Sequence, residues 1–475
     1  MKPLFFWISG IFTVLSLLGT VRGDDHSNIV FINADDLTHT DLSVYGGQVH
    51  TPNFERIAGE GMKFSHCSQA APMCSPTRHN LYTGIYPVKS SAYPNHTFAK
   101  EGTKSIVHHL KPLGYRVALS GKTHIAPKEV FPFEYSGRKN PDMEAIESLF
   151  AESKEAGTPF CLFACSNEPH TPWDLGDPGR YPPEKIELPP YLVDTPETRE
   201  AMSKYLAEIT YYDDQVGQIL DLLDKHDLRE NTIVMVSSEQ GNSMPFAKWT
   251  LYDNGLQTAL IARWPGKIAP GSETAAMVEY VDVVPTLLDA VGAGAVGELD
   301  GESFLPVLLG EKSEHKEFVY GIMTTRGIIN GSDSFGIRSV RNRTHRLIVN
   351  LTPETRFTNA CTKSPEFLSW VEKAEKGDKE SARLVKKYHH RPGEELYDVR
   401  GNWHNFQNLG EDPAHQEIRN TLRAKLDEWM KEQGDLGQET ELAAYDHQGG
   451  GRKKKKGKRA KKRTRSSPSV VAIRI

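Results

Sequence analysis

The sequence predicts an α/β layer fold, and two observations carry the prediction. Four apolar runs each end in a cluster of polar residues, and helical stretches alternate with them. The run 28–33 leads into Ala34-Asp35-Asp36. The run 115–120 leads into Gly121-Lys122-Thr123-His124. The run 159–165 leads into Asn167-Glu168-Pro169-His170, and 232–237 into Ser238-Glu239-Gln240-Gly241. Unbroken apolar runs of this length suit strands buried on both faces. Strand–helix alternation implies helices layered on a sheet. Ligands in such folds sit outside the carboxyl ends of the strands, so all four clusters are expected on one rim.

Residues 1–23 stand apart. Lys2 precedes an apolar run from Leu4 to Leu18, and Val21-Arg22-Gly23 fits a small-residue cleavage site. This is the pattern of a secretory signal peptide, short for a membrane span, with a retained anchor as the alternative. It predicts an exported protein: periplasmic, secreted or lysosomal according to the host. The next helix is expected to start at Thr51-Pro52. Met73 to Gly84 reads as a turn running into a short helix. Pro76 is expected at its first position, where the missing N–H would be unpaired anyway, and Gly84 as its stop. Cys74 then lies at a helix N-terminus, where free N–H groups and the macrodipole favour anions, with Arg78 one turn on along the same face. A longer helix spans roughly 197–225, with Tyr205, Ile209, Tyr212, Val216, Ile219 and Leu223 on one face.

The chain of 475 residues is long enough for more than one domain, and its composition is globular: 38% hydrophobic and 25% charged. Its net charge of −5 is unevenly spread. The stretch 452–465 holds eleven Lys and Arg and no acidic residue, so the rest of the chain carries −16. The stretch reads as a disordered basic tail, assigned to 446–475, able to hold a sulfated glycan, another polyanion or an anionic surface, or simply to remain solvated. A signal peptide argues against a nuclear address, and no specific nucleic-acid partner is expected. The five cysteines are odd in number, with Cys161 and Cys165 in a strand-like run that suits core thiols. No Cys/His spacing suggests zinc.

The motif Cys74-Ser75-Pro76-Thr77-Arg78, followed by Leu81-Tyr82-Thr83-Gly84, resembles the signature of type I sulfatases. Taken alone, Cys74 could equally be a buried thiol at an ordinary helix start. The resemblance continues in Lys248 ahead of Tyr252-Asp253-Asn254-Gly255, in Trp264-Pro265-Gly266 and in the segment 280–288. Further on, 337–341 and 395–398 resemble the family's smaller C-terminal domain, an antiparallel sheet with a packed helix expected at 414–433. The resemblance implies an alkaline-phosphatase-like layered sheet flanked by helices over 24–314, and a smaller α+β domain over 315–445. Gly121 to Pro127, 130–133 and 192–196 look most like the heparan N-sulfatases within the family.

What the resemblance implies chemically is specific. Cys74 would be converted to formylglycine by a maturing enzyme, and its hydrate would be the nucleophile. Asp35, Asp36, Glu239, Gln240 and residue 74 would hold a divalent cation, Ca²⁺ or Mg²⁺ as suits oxygen donors. Arg78 and Lys122 would stabilise the formylglycine oxygen, with His124 orienting it. His170 and Lys248 would contact the sulfate, and His170 would protonate the leaving atom. The sequence departs from the family at Glu239-Gln240, where Asp-Asn is usual; each replacement adds one methylene and keeps the oxygen chemistry. The expected activity is hydrolysis of sulfate from a sulfated sugar, N-sulfoglucosamine foremost. The alternatives are an O-sulfatase on another sulfated polysaccharide, a phosphoester or phosphonate hydrolase of the same superfamily, and a non-catalytic glycan binder.

Overall fold

The computed structural model describes residues 26–448 apart from 295, 402, 403 and 405. The proposed signal peptide and the basic stretch 452–465 lie outside the described residues. Among those described, a nine-stranded sheet has at its centre the strands Arg116–Gly121, Phe160–Cys165, Asn28–Asn33 and Thr232–Ser237, in that order and parallel. Leu260–Arg263 and Met62–Ser68 extend it with antiparallel pairings.

The unbroken apolar runs follow from burial on both sides. Side chains alternate across a strand, so Val30, Ile32, Val234 and Val236 enter one core while Ile29, Phe31, Ile233 and Met235 enter the other. The first core is covered by the helices Pro52–Glu60, Met143–Ala156 and Pro196–Lys225. The second is covered by Cys74–Thr83, Ile106–Leu110 and Val283–Ala290. Cys161 and Cys165 point into the second core, and all five cysteines are buried and unpaired. The long helix starts on Thr195, whose side chain accepts from Thr198 N.

A second sheet is antiparallel, with strands Val319–Thr324, Gly336–Arg341, His345–Asn350 and Glu394–Asp398 in that order. The helix Gln416–Gln433 packs on it through Leu422, Leu426 and Trp429. The same cluster takes in Ala70, Ala71, Tyr86 and Tyr93 of the larger unit, so the two sheets share an apolar seam.

Two features were not expected from the sequence. Between the last two strands of the small sheet lies a helical hairpin, Pro365–Glu375 and Lys379–His389, capped by Ser364 and Asp378. It leans on the long helix: Trp370 Nε1 donates to Thr198 Oγ1 at 2.8 Å, and Ser369 Oγ lies 2.7 Å from Thr195 Oγ1. Residues 446–448, assigned to the tail, belong instead to the packed structure. The turn Ala444–His447 leads to Gln448, which bridges to Thr97, because the backbone and side-chain polar groups of 95–97 are there to pair with it.

Candidate active site

The register of the sheet aligns the polar clusters. Gly121 stands opposite Cys165, Cys165 opposite Asn33, and Asn33 opposite Ser237, so four strands end in one row. Ala34 N then donates to Ser237 O at 3.1 Å, Asp35 N to Glu168 O at 3.2 Å, and Lys122 N to Cys165 O at 2.9 Å. Gly121 is required at its turn. Its φ is +97°, and a Cβ there would run into the Cys165 carbonyl. Asp36 takes a φ of +63° without being glycine, a strained conformation of the kind that collects at functional sites.

The helix carrying Cys74 is buried along its length and closes on Gly84 in the left-handed conformation, as expected. The position of Pro76 is corrected. Cys74 is the first helical residue and Pro76 the third. The ring is tolerated there because the first four N–H groups of a helix have no intrahelical partner. The first bond of the helix runs from Thr77 N to Met73 O. The Thr77 hydroxyl donates to Ala71 O at 2.6 Å.

The ligand atoms of Asp35, Asp36, Cys74 and His170 all lie within 4.8 Å of one another. Around them, Lys122 pairs with Asp35, and Lys248 Nζ lies 2.6 Å from Asp36 Oδ2. Gln240 Nε2 donates to Asp35 Oδ1 at 3.1 Å, to Asp36 Oδ1 at 2.8 Å and to Cys74 Sγ at 3.1 Å. Ser243 Oγ donates to Asp36 Oδ2 at 3.0 Å. Burial pushes the Asp36 carboxyl upward, but Lys248 and His170 outweigh it and hold the group below its ordinary range. Burial pushes the Cys74 thiol up to about 11. An unconverted Cys74 is therefore a neutral thiol at physiological pH.

Glu239 sits with Arg78 rather than in the group of four. Arg78 Nη2 lies 2.8 Å from Glu239 Oε1, Asn33 Nδ2 donates to the same oxygen at 2.9 Å, and Arg78 Nη1 donates to Lys122 O at 2.9 Å. His124 is a neighbour of the cluster, held down to about 2 by burial and the Lys122 charge. His170 is held down to about 4, chiefly by burial.

The residues fit a cation on two counts. His170 Nδ1 faces the Thr171 carbonyl at 2.6 Å, so that nitrogen carries the proton, and the bare Nε2 is left 3.7 Å from Asp36 Oδ2. Two acceptors face each other without repulsion only when a proton or cation lies between them. Gln240 Oε1 is buried without a hydrogen-bond partner, and turning the amide over would aim it at the carboxylates, where only a cation would welcome it.

Sequence reasoning missed His96. Its Nδ1 lies 2.9 Å from His124 Nε2, and both residues take positive φ, +58° and +52°. His96 lies in the loop that follows the Cys74 helix, where no local pattern marks it. Asn33 and Ser243 were likewise unmarked, being a strand end and a loop serine. A cavity of about 530 Å³ opens beside Ser243, lined by Trp173, Trp249, Glu197, Glu200 and, from the helical hairpin, Glu366.

The sulfatase family matches residues 27–293, and the family of N-sulphoglucosamine sulphohydrolase C-terminal domains matches 241–353. An ulvan-active sulfatase of Formosa agariphila is 32% identical over 86% of this chain and 81% of its own. The human N-sulphoglucosamine sulphohydrolase is 24% identical over 89% and 93%. A structure solved with its substrate, D-glucosamine-2-N,6-O-disulfate, superposes with a TM-score of 0.67 at 19% identity, over 87% of this chain and 99% of that one. With the sheet, the strand-end carboxylates and the Cys74 helix in place, the chain belongs to the sulfatase family and is a sulfuric ester hydrolase.

Proposed function

We propose that the chain removes sulfate from a sugar of a sulfated polysaccharide, N-sulfoglucosamine foremost, after export and conversion of Cys74 to formylglycine. The observation that carries the reading is the meeting of Asp35, Asp36, Cys74 and His170 within 4.8 Å, ringed by Lys122, Lys248 and Gln240. Conversion replaces the sulfur of residue 74 by oxygen. Asp35, Asp36, residue 74 and Gln240 then form an all-oxygen set that suits Ca²⁺ or Mg²⁺. When bound, the cation would neutralise sulfate charge and acidify the attacking hydroxyl.

The chain's own residues supply the rest. One hydroxyl of the formylglycine hydrate attacks sulfur, and the bond from sulfur to the leaving oxygen or nitrogen breaks. His170 gives the leaving atom its proton from Nε2, which takes one up when the negative charge of bound sulfate stands beside it. The second hydroxyl loses a proton, the carbon–oxygen double bond re-forms, sulfate leaves, and water restores the hydrate. Lys122 and Arg78 hold positive charge near residue 74, and Lys248 holds it near the sulfate. A cysteine has no second hydroxyl and cannot complete this cycle.

The N-sulfoglucosamine reading draws support from the match of 241–353 and from the human relative aligned over most of its length. A second reading, an O-sulfatase on another sulfated polysaccharide, is favoured by the higher identity to the ulvan-active relative. The test is sulfate release from two matched disaccharides, one only N-sulfated and one only O-sulfated, by enzyme made in a host that installs formylglycine. Release from the first alone supports the first reading. Release from the second alone replaces it. Release from neither, with the Cys74 peptide shown by mass spectrometry to be converted, overturns both.

A further inference from the structure

Three residues of the cavity beside Ser243 each touch the catalytic cluster. Ser243 Oγ donates to Asp36 Oδ2 at 3.0 Å, the Thr171 carbonyl accepts from His170 Nδ1 at 2.6 Å, and Lys248 Nζ stands 5.0 Å over the ring of Trp249. A space of about 530 Å³ therefore opens on the groups proposed to meet the sulfate, and it has the size of a small-molecule site. Two tryptophans line it. Trp173 is fixed by its Nε1, which donates to Pro169 O at 2.9 Å. Trp249 is only 8% exposed, and its indole N–H has no partner among the described residues, which leaves it for a ligand in the cavity.

The charge of the cavity is divided. Lys248 stands on the catalytic side. The helices Pro196–Lys225 and Pro365–Glu375 both begin on the other wall, and each brings a carboxylate in its first turn, Glu197 and Glu366. A first-turn carboxylate is ordinary, because the helix end favours it and offsets about half its charge. What is particular is that two such turns, far apart in the chain, share one cavity, and that neither carboxylate has a hydrogen bond or an ion pair among the described residues. Glu200, on the same wall, is neutralised by Lys204 at 2.7 Å. Lys376, whose charge reaches Glu197, is itself paired with Glu372 at 2.6 Å. The wall is net negative.

We infer that this cavity holds the sugar bearing the scissile sulfate, and that Glu197 and Glu366 reject a second negative charge on that sugar, sulfate or carboxylate. This rests on the reading that a sulfated sugar is the substrate. The catalytic cluster attracts the one sulfate that reacts. The rest of the ring meets an aromatic wall, which suits its C–H faces, and two carboxylates, which accept from hydroxyls. A second anion in place of a hydroxyl loses that hydrogen bond and meets like charge in a confined space, where screening is weak. Selection for singly sulfated sugars thus comes from a repulsive element beside the attractive one.

The test uses the full chain with Cys74 converted, as the parent, as the double variant Glu197→Gln with Glu366→Gln, and as Glu366→Lys. Sulfate release is compared on glucosamine 2-N-sulfate, glucosamine 6-O-sulfate and glucosamine 2-N,6-O-disulfate. The same sugars are titrated calorimetrically into Cys74→Ala, with and without the double substitution, which reads selectivity without turnover. In the parent, kcat/KM and affinity for the disulfated sugar are expected about tenfold or more below those for the better monosulfated one. In the double variant the ratio is expected to approach one through a gain on the disulfated sugar, and Glu366→Lys to move it the same way. Equal handling of the two sugars by the parent would overturn the inference, as would an unchanged ratio in the double variant. A fall on all three sugars with the ratio kept would overturn it too, making the carboxylates acceptors for sugar hydroxyls and no filter of charge. A parent that cleaves none of the three would sink the substrate reading, while the affinities of Cys74→Ala would still decide the selectivity. Binding of none would remove the sugar from the cavity and the inference with it.

Discussion

Arg78 and Glu239 form an ion pair, 2.8 Å from Nη2 to Oε1, with both side chains fully buried. Asn33 supports the same carboxylate oxygen. The extra methylene of Glu239 thus serves a contact to the helix that carries Cys74. Removing one partner of a buried pair leaves the other charge uncompensated, at a cost of about 3–5 kcal/mol. Glu239→Ala is expected to lose that much in denaturant unfolding, and Glu239→Asp a fraction of it. An alanine variant as stable as the parent would show that Arg78 finds another partner.

His96 is expected to act as a positioning residue for His124. Replacing it by Ala removes the contact of 2.9 Å and should lower kcat by about tenfold to a hundredfold, with the melting temperature unchanged. His96→Asn keeps a polar side chain and tolerates positive φ, so it should restore part of the loss. Equal kcat in parent and alanine variant would remove His96 from the site.

Cys74→Ala should abolish turnover with little effect on the fold, since the side chain lost is small. Circular dichroism and melting should match the parent, while sulfate release falls below detection. Full activity in this variant would exclude residue 74 as the nucleophile.

Cation binding should be visible without turnover. A ligand at a hundred times its Kd stabilises the folded state by about 2.7 kcal/mol. Adding Ca²⁺ or Mg²⁺ to chelator-treated protein should raise the melting temperature, and Asp36→Asn should weaken the rise. No shift with either ion would contradict the proposed donor set.

Asp41 gives the stability a pH dependence of its own. Burial pushes its carboxyl from the ordinary 3.8 up to about 7, against the hydrogen bond of 3.0 Å from Tyr205. Between those values the folded state holds a proton that the unfolded chain has released, so stability falls as pH rises from about 4 to 7. Asp41→Asn does not titrate. Its melting temperature relative to the parent should therefore climb through that window and level off above it. A difference that stays flat from pH 4 to 8 would show that Asp41 titrates normally.

Much of this was legible in the sequence because burial on two sides leaves continuous apolar runs. The strands at 28–33 and 232–237 begin and end where their runs do, Arg116–Gly121 is displaced by one residue at both ends, and Phe160–Cys165 starts one residue late. The long helix was legible from its apolar face, and it begins one residue before the expected start, at Pro196. The helical hairpin at 365–389 was not. Its second helix is strongly charged, and its apolar residues find their partners far off in the chain, Tyr388 against Phe246 and Trp370 against the long helix. The carboxylates, Cys74 and Arg78 were legible because they follow strands or a motif. His96 was not, because its role comes from a loop folded back by Thr97 and Gln448, a contact spanning 351 residues that no local pattern encodes.

The hairpin enters and leaves the small sheet at neighbouring points. Val349 pairs with Glu394, and Asn350 N donates to Gly393 O at 2.8 Å, so the segment between them is a cassette plugged into one socket. One edge of that cassette, Ala360 to Glu366, walls the cavity that Ser243 and Trp249 line from the other side. The insert and the reaction centre are nonetheless packed as one: Phe246, in the loop that carries Lys248, meets Tyr388 of the hairpin edge-on with ring centroids 5.1 Å apart, and both lie in the first core. Exchanging the segment between residues 350 and 393 would therefore disturb the lysine's loop together with the cavity wall.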